Sequence, residues 1–282
     1  MNLIESLEFE ILSDESDPEL VNAWRTYLNE AKWGWLVIEP AINSLAVDST
    51  VLEVGAGSQA LTAQVASKGI KVTALEPSSI GFSIMKTLGE KVQSLSHNAG
   101  IHYNIIDTTG EQFDESEKFD FAFSINVMEH VHDICAVLDN VLASLKVGGK
   151  YQFICPNYLF PFEPHFSVPT LINQRLTNMF VRKIAIRFSK ASDPEGLWSS
   201  LNWISVRQIR KWAKNTEHVS VEFSNRALEM YAARASLDQI FMERHEFIAR
   251  AFKALNPIML LVIRRSPKVM SPFIDVTITK LK

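Results

Sequence analysis

Val51-Leu52-Glu53-Val54-Gly55-Ala56-Gly57-Ser58-Gln59-Ala60-Leu61-Thr62 opens as a short apolar run and breaks at two glycines two residues apart. It then turns helix-like through Leu61, Val65 and Ala66. A buried strand feeding a tight turn and a helix reads this way. The glycines let the backbone bend sharply and let a ligand approach where a Cβ would collide. The free N–H groups of the following helix face the same spot.

The pattern repeats downstream. The next apolar run, Ile70 to Leu75, ends in Glu76-Pro77, and Glu76 lies 21 residues after Gly55. That is about the separation at which a βαβ unit sets an acid on a ribose hydroxyl pair. A third strand is expected over Ile101 to Ile106, ending in Asp107-Thr108, and a fourth over Phe119 to Phe123, running into Ser124-Ile125-Asn126-Val127-Met128-Glu129-His130-Val131. A fifth, Tyr151 to Cys155, comes after Leu145-Lys146-Val147-Gly148-Gly149-Lys150. Five strand ends in order, each carrying a polar group, are far more specific than one glycine turn.

Over about residues 45 to 158 this run resembles the class I S-adenosylmethionine-dependent methyltransferase family. Glu53-Val54-Gly55-Ala56-Gly57 resembles the family's first motif, Glu76 its ribose acid and Asp107 the residue beside the adenine amine. Asn126 to Val131 resembles the segment after strand four, and Leu145 to Gly149 the turn before strand five. The resemblance implies that Glu53, Gly55, Ala56, Gly57, Ser58, Glu76, Pro77, Asp107, Thr108, Asn126 and Val127 bind S-adenosylmethionine. Gln59 stands where many members carry a third glycine, a residue that usually serves helix packing. A dinucleotide oxidoreductase needs that glycine for close pyrophosphate approach, and Glu53 would oppose a pyrophosphate while attracting an ammonium group.

The implied fold is α/β, a Rossmann-like doubly wound, mostly parallel seven-stranded sheet with helices on both faces. An N-terminal helical cap (1–44), a cofactor-binding core (45–158) and a helical lid with the last two strands (159–282) would form one methyltransferase domain over 1–282. Residues 16 to 45 read as helices, with Asp17-Pro18 at the start and Leu20, Trp24, Tyr27 and Leu28 on one apolar face. Trp33 and Trp35 read as core. Residues 108 to 118 read as a solvated acidic loop, and Val127 to Leu145 as one helix whose first turn carries Glu129. Further helices are expected over Ile204 to Thr216 and Ser236 to Leu255. Strand six is His218 to Phe223. Met259 to Ile263 and Ile274 to Ile278 compete for strand seven, and the alternating second run is preferred.

For chemistry, Glu129-His130 sits where this fold places groups beside the transferred methyl. Some quinone-biosynthesis relatives carry Glu-x-x-Glu-His there and bind a divalent metal. Here the first glutamate is Asn126, a neutral and weaker ligand, so no metal is expected. After strand five, Pro156-Asn157-Tyr158-Leu159-Phe160-Pro161-Phe162-Glu163-Pro164-His165-Phe166 is a proline-stiffened aromatic loop at the ligand-binding end of the sheet. Glu163 and His165 join Glu129 and His130 as catalytic candidates, as base or as acceptor contacts. The acceptor expected is a small molecule, glycan precursor or lipid precursor, with O-methylation preferred. The alternatives are a catalytically silent cofactor-binding module and a membrane-surface lipid methyltransferase.

Composition narrows the rest. The 282 residues are 47% hydrophobic and 21% charged, enough for a sizeable core. Two cysteines make neither a metal nor a disulfide framework, and Met1 to Glu10 carries three acids and no base, so a reduced, cytoplasmic protein is expected. No nucleic-acid motif occurs. Residues 1–150 hold 22 acidic and 9 basic side chains, residues 151–282 hold 10 and 19. Such asymmetry marks either mutual attraction of the halves or an anionic partner. Arg175, Arg182, Lys183, Arg187 and Lys190 interleave with apolar residues over 167–190 and no acid falls between Phe166 and Ser192. That segment reads as a lid or core helix, or as contact with an anionic membrane surface.

Overall fold

The computed structural model describes residues 2–78, 83–189, 191, 193–235 and 265–282. Helix α1 (Leu3–Ser13) starts on a capping box in which Asn2 accepts from Ile4 N while Glu5 accepts from the Asn2 backbone N–H. Helix α2 (Pro18–Asn43) starts on Asp17, which accepts from Glu19 N, with proline in the first turn where a missing N–H does no harm. Then come β1 (Thr50–Val54), α3 (Ala60–Ala66), β2 (Lys71–Leu75), α4 (Ser83–Asn98), β3 (Asn104–Ile106), β4 (Phe119–Ile125), α5 (Ile134–Ser144) and β5 (Leu145–Pro156). Next is a two-stranded hairpin, β6 (Phe162–Glu163) and β7 (Val168–Pro169), with helices α6 (Gln174–Phe180), α7 (Arg182–Phe188), α8 (Pro194–Ser200) and α9 (Val206–Asn215). Strand β8 (Val219–Phe223), α10 (Arg226–Ala235), a 3₁₀ turn and β9 (Phe273–Lys280) complete the described chain.

The seven-stranded sheet has the order β3-β2-β1-β4-β5-β9-β8, parallel except at β9, which runs antiparallel to both neighbours. The order reverses between β1 and β4, so a crevice opens at the carboxyl ends of those strands. One apolar layer packs α1, α2 and α3 on one face, with Trp24, Trp33, Trp35 and Ile38 buried. The other packs α5 and α9 on the opposite face through Val137, Val141, Ile209 and Trp212. The two tryptophans read as core are core. Gly34 lets α2 come this close, since a Cβ there would sit 3.0 Å from Leu61 and 3.2 Å from Ile125.

The second run, Ile274 to Ile278, is the strand, extended to β9. Met259 to Ile263 and the expected helix over Ser236 to Leu255 lie outside the described residues. Three expectations need correction. Strand three is only Asn104–Ile106. The helix expected from Val127 starts at Ile134, because Asp133 accepts from Cys135 N and Ala136 N and caps it there, leaving Glu129 in an irregular turn. Residues 108–118 are more than a solvated loop: Phe113 is buried, and Asn140 donates to the carbonyls of Gly110 and Glu111. A short apolar insertion among four acids gives no periodic signal.

Candidate active site

A cleft of about 730 Å³ opens at the switch point, within the usual range for small-molecule pockets. Its floor is the glycine turn. Gly55 and Gly57 have φ of +75° and +50°, and a Cβ on Gly55 would lie 2.6 Å from Val127 Cγ2. Only glycine leaves room there. Gln59 is also left-handed, at φ 58°, which supplies a backbone reason for glycine at this position in other members. Its side chain accepts from the Tyr103 hydroxyl and reaches α4, where a Cβ on Gly89 would lie 2.9 Å from Gln59 Nε2.

Ten of the eleven residues expected around the cofactor line the cleft: Glu53, Gly55, Ala56, Gly57, Ser58, Glu76, Pro77, Thr108, Asn126 and Val127. Asp107 does not. Its exposed carboxylate accepts from Ser78 N and Oγ, which hold it below the ordinary aspartate range. Glu76 accepts from Gly57 N at 2.7 Å, which pins the glycine turn to the end of β2. Glu53 is buried and accepts from Thr62 Oγ1. Burial pushes its pKa up to about 8 against the Thr62 bond, and the Glu76 carboxylate adds to the rise.

The roof of the cleft comes from the expected N-terminal helical cap, but sequence reasoning did not single out the residues that line it. Tyr27, Glu30 and Ala31 of α2 line it, together with Met85 and the 109–112 segment. Burial raises the Glu30 carboxyl, opposed by His165. Tyr27 and Ala31 are four apart with Glu30 between them, so an acid beside the apolar stripe of α2 was the available signal.

At one end of the cleft the four catalytic candidates converge. His130 lines the cleft, while Glu129, Glu163 and His165 stand behind it. Ser200 Oγ lies 2.9 Å from His130 Nδ1 and 2.8 Å from Leu197 O, so Ser200 takes up Nδ1 of the ring. Nε2 is the ring nitrogen left free, 4.0 Å from Glu129 Oε1. Burial, and then His165, push the His130 pKa down to about 4, with Glu163 opposing. His165 donates from Nδ1 to Glu163 Oε1 at 2.6 Å, and Phe166 N and the Tyr158 hydroxyl also donate to Glu163. Burial alone would lower the His165 pKa, but the Glu163 bond and the charges of Glu163, Glu129 and Glu30 raise it. Its Nε2 also lies 4.0 Å from Glu129 Oε1.

Glu129 is fully buried, and neither carboxylate oxygen has a hydrogen-bond partner among the described residues. Burial pushes its pKa up to about 7, His165 pulls it down, and Glu30 and Glu163 raise it. The turn that carries it is clamped by Asn202, whose backbone N–H donates to Glu129 O and whose Nδ2 donates to Met128 O and Val131 O. Ligand atoms of Glu129, His130 and His165 lie within 4.8 Å of one another, a donor set that could hold a cation. Asn126 is in the left-handed region at φ 55°, so the chain turns sharply between the end of β4 and this cluster.

A sequence model of a methyltransferase-domain family matches residues 36–238. The chain belongs to the class I S-adenosylmethionine-dependent methyltransferases. An uncharacterized protein of Mycobacterium tuberculosis (strain H37Rv) is 34% identical over 269 residues, covering 95% of this chain and 91% of that protein. A ubiquinone biosynthesis O-methyltransferase of Paramagnetospirillum magneticum is 31% identical over 103 residues, 36% of this chain and 39% of that one. Among solved structures, the Haemonchus contortus phosphoethanolamine N-methyltransferase 2 with S-adenosylhomocysteine superposes at a TM-score of 0.53 and 15% identity. It covers 88% of this chain and 52% of that one. Geranyl diphosphate methyltransferase with S-adenosylmethionine gives 0.52 and 14%, covering 96% and 94%. These structures share the fold. The methyltransferase uses S-adenosylmethionine, and the cleft fits it: glycines where a Cβ would fill the cradle, and carboxylates at both ends of the turn.

Proposed function

We propose that this methyltransferase, acting as a single domain over its 282 residues, methylates an oxygen of a small glycan- or lipid-type acceptor. The observation that carries this is the placement of His130, which lines the cleft with Nδ1 taken up by Ser200 and Nε2 free to accept a proton. A hydroxyl acceptor must lose its proton as it attacks, whereas a neutral amine can lose it afterwards, so a fixed neutral base favours oxygen. The O-methyltransferase relative of P. magneticum supports the same choice.

S-adenosylmethionine supplies an electrophilic methyl and leaves as a neutral thioether. The residues of the chain do the rest. Glu76 would hold the ribose hydroxyls, Glu53 would attract the ammonium group, and Thr108, Pro77 and the backbone near Asp107 would hold the base. Gly55, Ala56, Ser58, Asn126 and Val127 wall the middle of the ligand. On the acceptor side His130 Nε2 would take the hydroxyl proton as the acceptor oxygen receives the methyl group. Glu129 then faces an imidazolium that it stabilises. Glu163 and His165 hold the far side of Glu129 and orient the acceptor. Alignment of the three reacting atoms supplies much of the acceleration.

Labelled methyl transfer from S-adenosylmethionine to a panel of hydroxyl and amine acceptors, with the new bond assigned by NMR, tests this. His130→Ala should lower turnover by about 10²- to 10⁴-fold without weakening cofactor binding. A product methylated on nitrogen or carbon, or full turnover by His130→Ala, overturns the reading. Turnover abolished by a chelator, with cation binding lost in His165→Asn, would replace the proton-transfer reading by a cation-assisted one.

A further inference from the structure

The α6–α7 surface is apolar and basic where the chain faces solvent. Val181, between the two helices, stays right-handed at φ −108° and ψ −36°, so the helical rows continue across it. Thr177, Val181 and Ala185, four apart, face inward, with Thr177 and Ala185 buried. Thr177 Oγ1 accepts from Leu171 N, and Asn178 Oδ1 accepts from Trp198 Nε1, which fixes α6 against the hairpin and α8. The outer row is Phe180, Ile184 and Phe188, exposed by 61%, 58% and 76%. The next row is Arg175, Met179, Lys183 and Arg187, all exposed. Large apolar side chains are not left in water in a row without a partner.

We propose that this surface docks on an anionic membrane, with Phe180, Ile184 and Phe188 at the headgroup–acyl boundary and Arg175, Lys183 and Arg187 on the lipid phosphates. Charge decides the occupant. From Phe166 to Ser192 the chain holds five basic residues and no acid. Among the described residues, Lys280–Glu117 is the lysine or arginine ion pair that joins the basic half to the acidic half, and Arg182 pairs within its own half, with Glu195. The basic rows are therefore not consumed by attraction between the halves. A second copy would bring like charges together, and residues 236–264 of this chain carry three acids and four bases, no match for a basic face. Basic and aromatic or aliphatic side chains side by side on a helix suit the interface plane of an anionic bilayer. No helix among the described residues is long and apolar enough to cross one. The same segment joins the hairpin that carries Glu163 and His165, so docking would set the acceptor side of the site at the lipid surface. That last step rests on the methyl-transfer reading above.

Co-sedimentation of the full chain with unilamellar vesicles tests the proposal and needs no turnover, so its outcome is separate from that of the function assay. The protein should pellet with phosphatidylcholine vesicles containing phosphatidylglycerol, not with phosphatidylcholine alone, and should be released by high salt. Lys183→Gln with Arg187→Gln should weaken binding about 25-fold, at roughly fivefold per charge. Phe180→Ser with Phe188→Ser should abolish it. Neither pair lines the cofactor cleft, so S-adenosylmethionine titration and Tm should stay as in the parent. Equal binding to neutral and anionic vesicles, or none to either, overturns the proposal. So does concentration-dependent dimerisation that Phe180→Ser removes, which would make the face an interface between copies.

Discussion

Gln59 holds a left-handed backbone where glycine would be free, and Gly89 on α4 makes room for its side chain. The two should be energetically coupled. Glycine to alanine in a helix interior ordinarily stabilises by about 1 kcal/mol. At Gly89 the new Cβ would lie 2.9 Å from Gln59 Nε2 and 3.2 Å from Gly57 O. The amide is the end of a flexible side chain that can swing aside by giving up the Tyr103 bond, at about 1 kcal/mol, so the gain should be cancelled. Gln59→Gly relieves about 1–2 kcal/mol of left-handed strain and gives up the Tyr103 bond, about 1 kcal/mol, leaving a change near zero. In the double variant the amide is gone and only the Gly57 carbonyl remains close. Gly89→Ala should then be about 1 kcal/mol more favourable than it is alone. Urea denaturation of the four proteins closes the cycle. Additivity within about 0.3 kcal/mol would refute the steric account of this pair.

The site carries further expected outcomes. Glu76→Ala should weaken S-adenosylmethionine binding by about 100-fold, the loss of two charge-assisted hydrogen bonds, as read by calorimetry. Glu53 must be ionised to hold an ammonium group, and its pKa stands at about 8, so cofactor affinity should climb as pH rises toward that value. Glu53→Gln should flatten the slope. Because the folded pKa is raised, this group's contribution to apo-protein stability is present at low pH and lost as pH rises through about 8, and urea midpoints with and without Glu53→Gln should show that sign. Ser200→Ala removes the partner of His130 Nδ1 and should lower kcat while leaving cofactor affinity intact, and the pH–rate profile should shift with it. Asn202→Ala unclamps the Glu129 turn and should cost about 2 kcal/mol of stability as well as turnover, measured by melting and by initial rates.

The sheet was legible because each of its strands advertises itself locally. The run Val51 to Val54 is buried on both faces, reads as apolar apart from Glu53 and ends at glycines with positive φ. Ile274, Val276 and Ile278 alternate because β9 runs antiparallel between β5 and β8, a periodicity of two that no helix produces. Boundaries were less legible. The start of α5 depends on whether the Asp133 carboxylate or the earlier Val127-Met128-Glu129 turn takes the first free N–H groups, and the apolar period runs through both. The outer row of α6 and α7 looked like a face for core or lid because spacing reports amphipathicity, not what covers the apolar side.

The cofactor side and the acceptor side of the cleft differ in the same way. Cofactor contacts come from backbone shape at strand ends, so glycines and one acid at a fixed separation reveal them. The proposed acceptor side is assembled from distant side chains: Ser200 meets His130 Nδ1 from 70 residues away, and Asn202 reaches back 74 residues to Met128. Nothing in the local pattern of α8 distinguishes Ser200 from a helix-end serine. Glu163 and His165 were visible only because three prolines stiffen the loop that bears them. No pattern in the sequence shows that Glu129 would be buried with both oxygens unpartnered. In a folded chain that is costly unless a proton, a cation or an acceptor group arrives to meet it. The unpartnered carboxylate, next to His130 and His165, is therefore the strongest structural support for the proposed acceptor site, and it makes Glu129→Gln the sharpest discriminator. The amide keeps the shape and removes the charge, so stability should hold or rise while turnover falls.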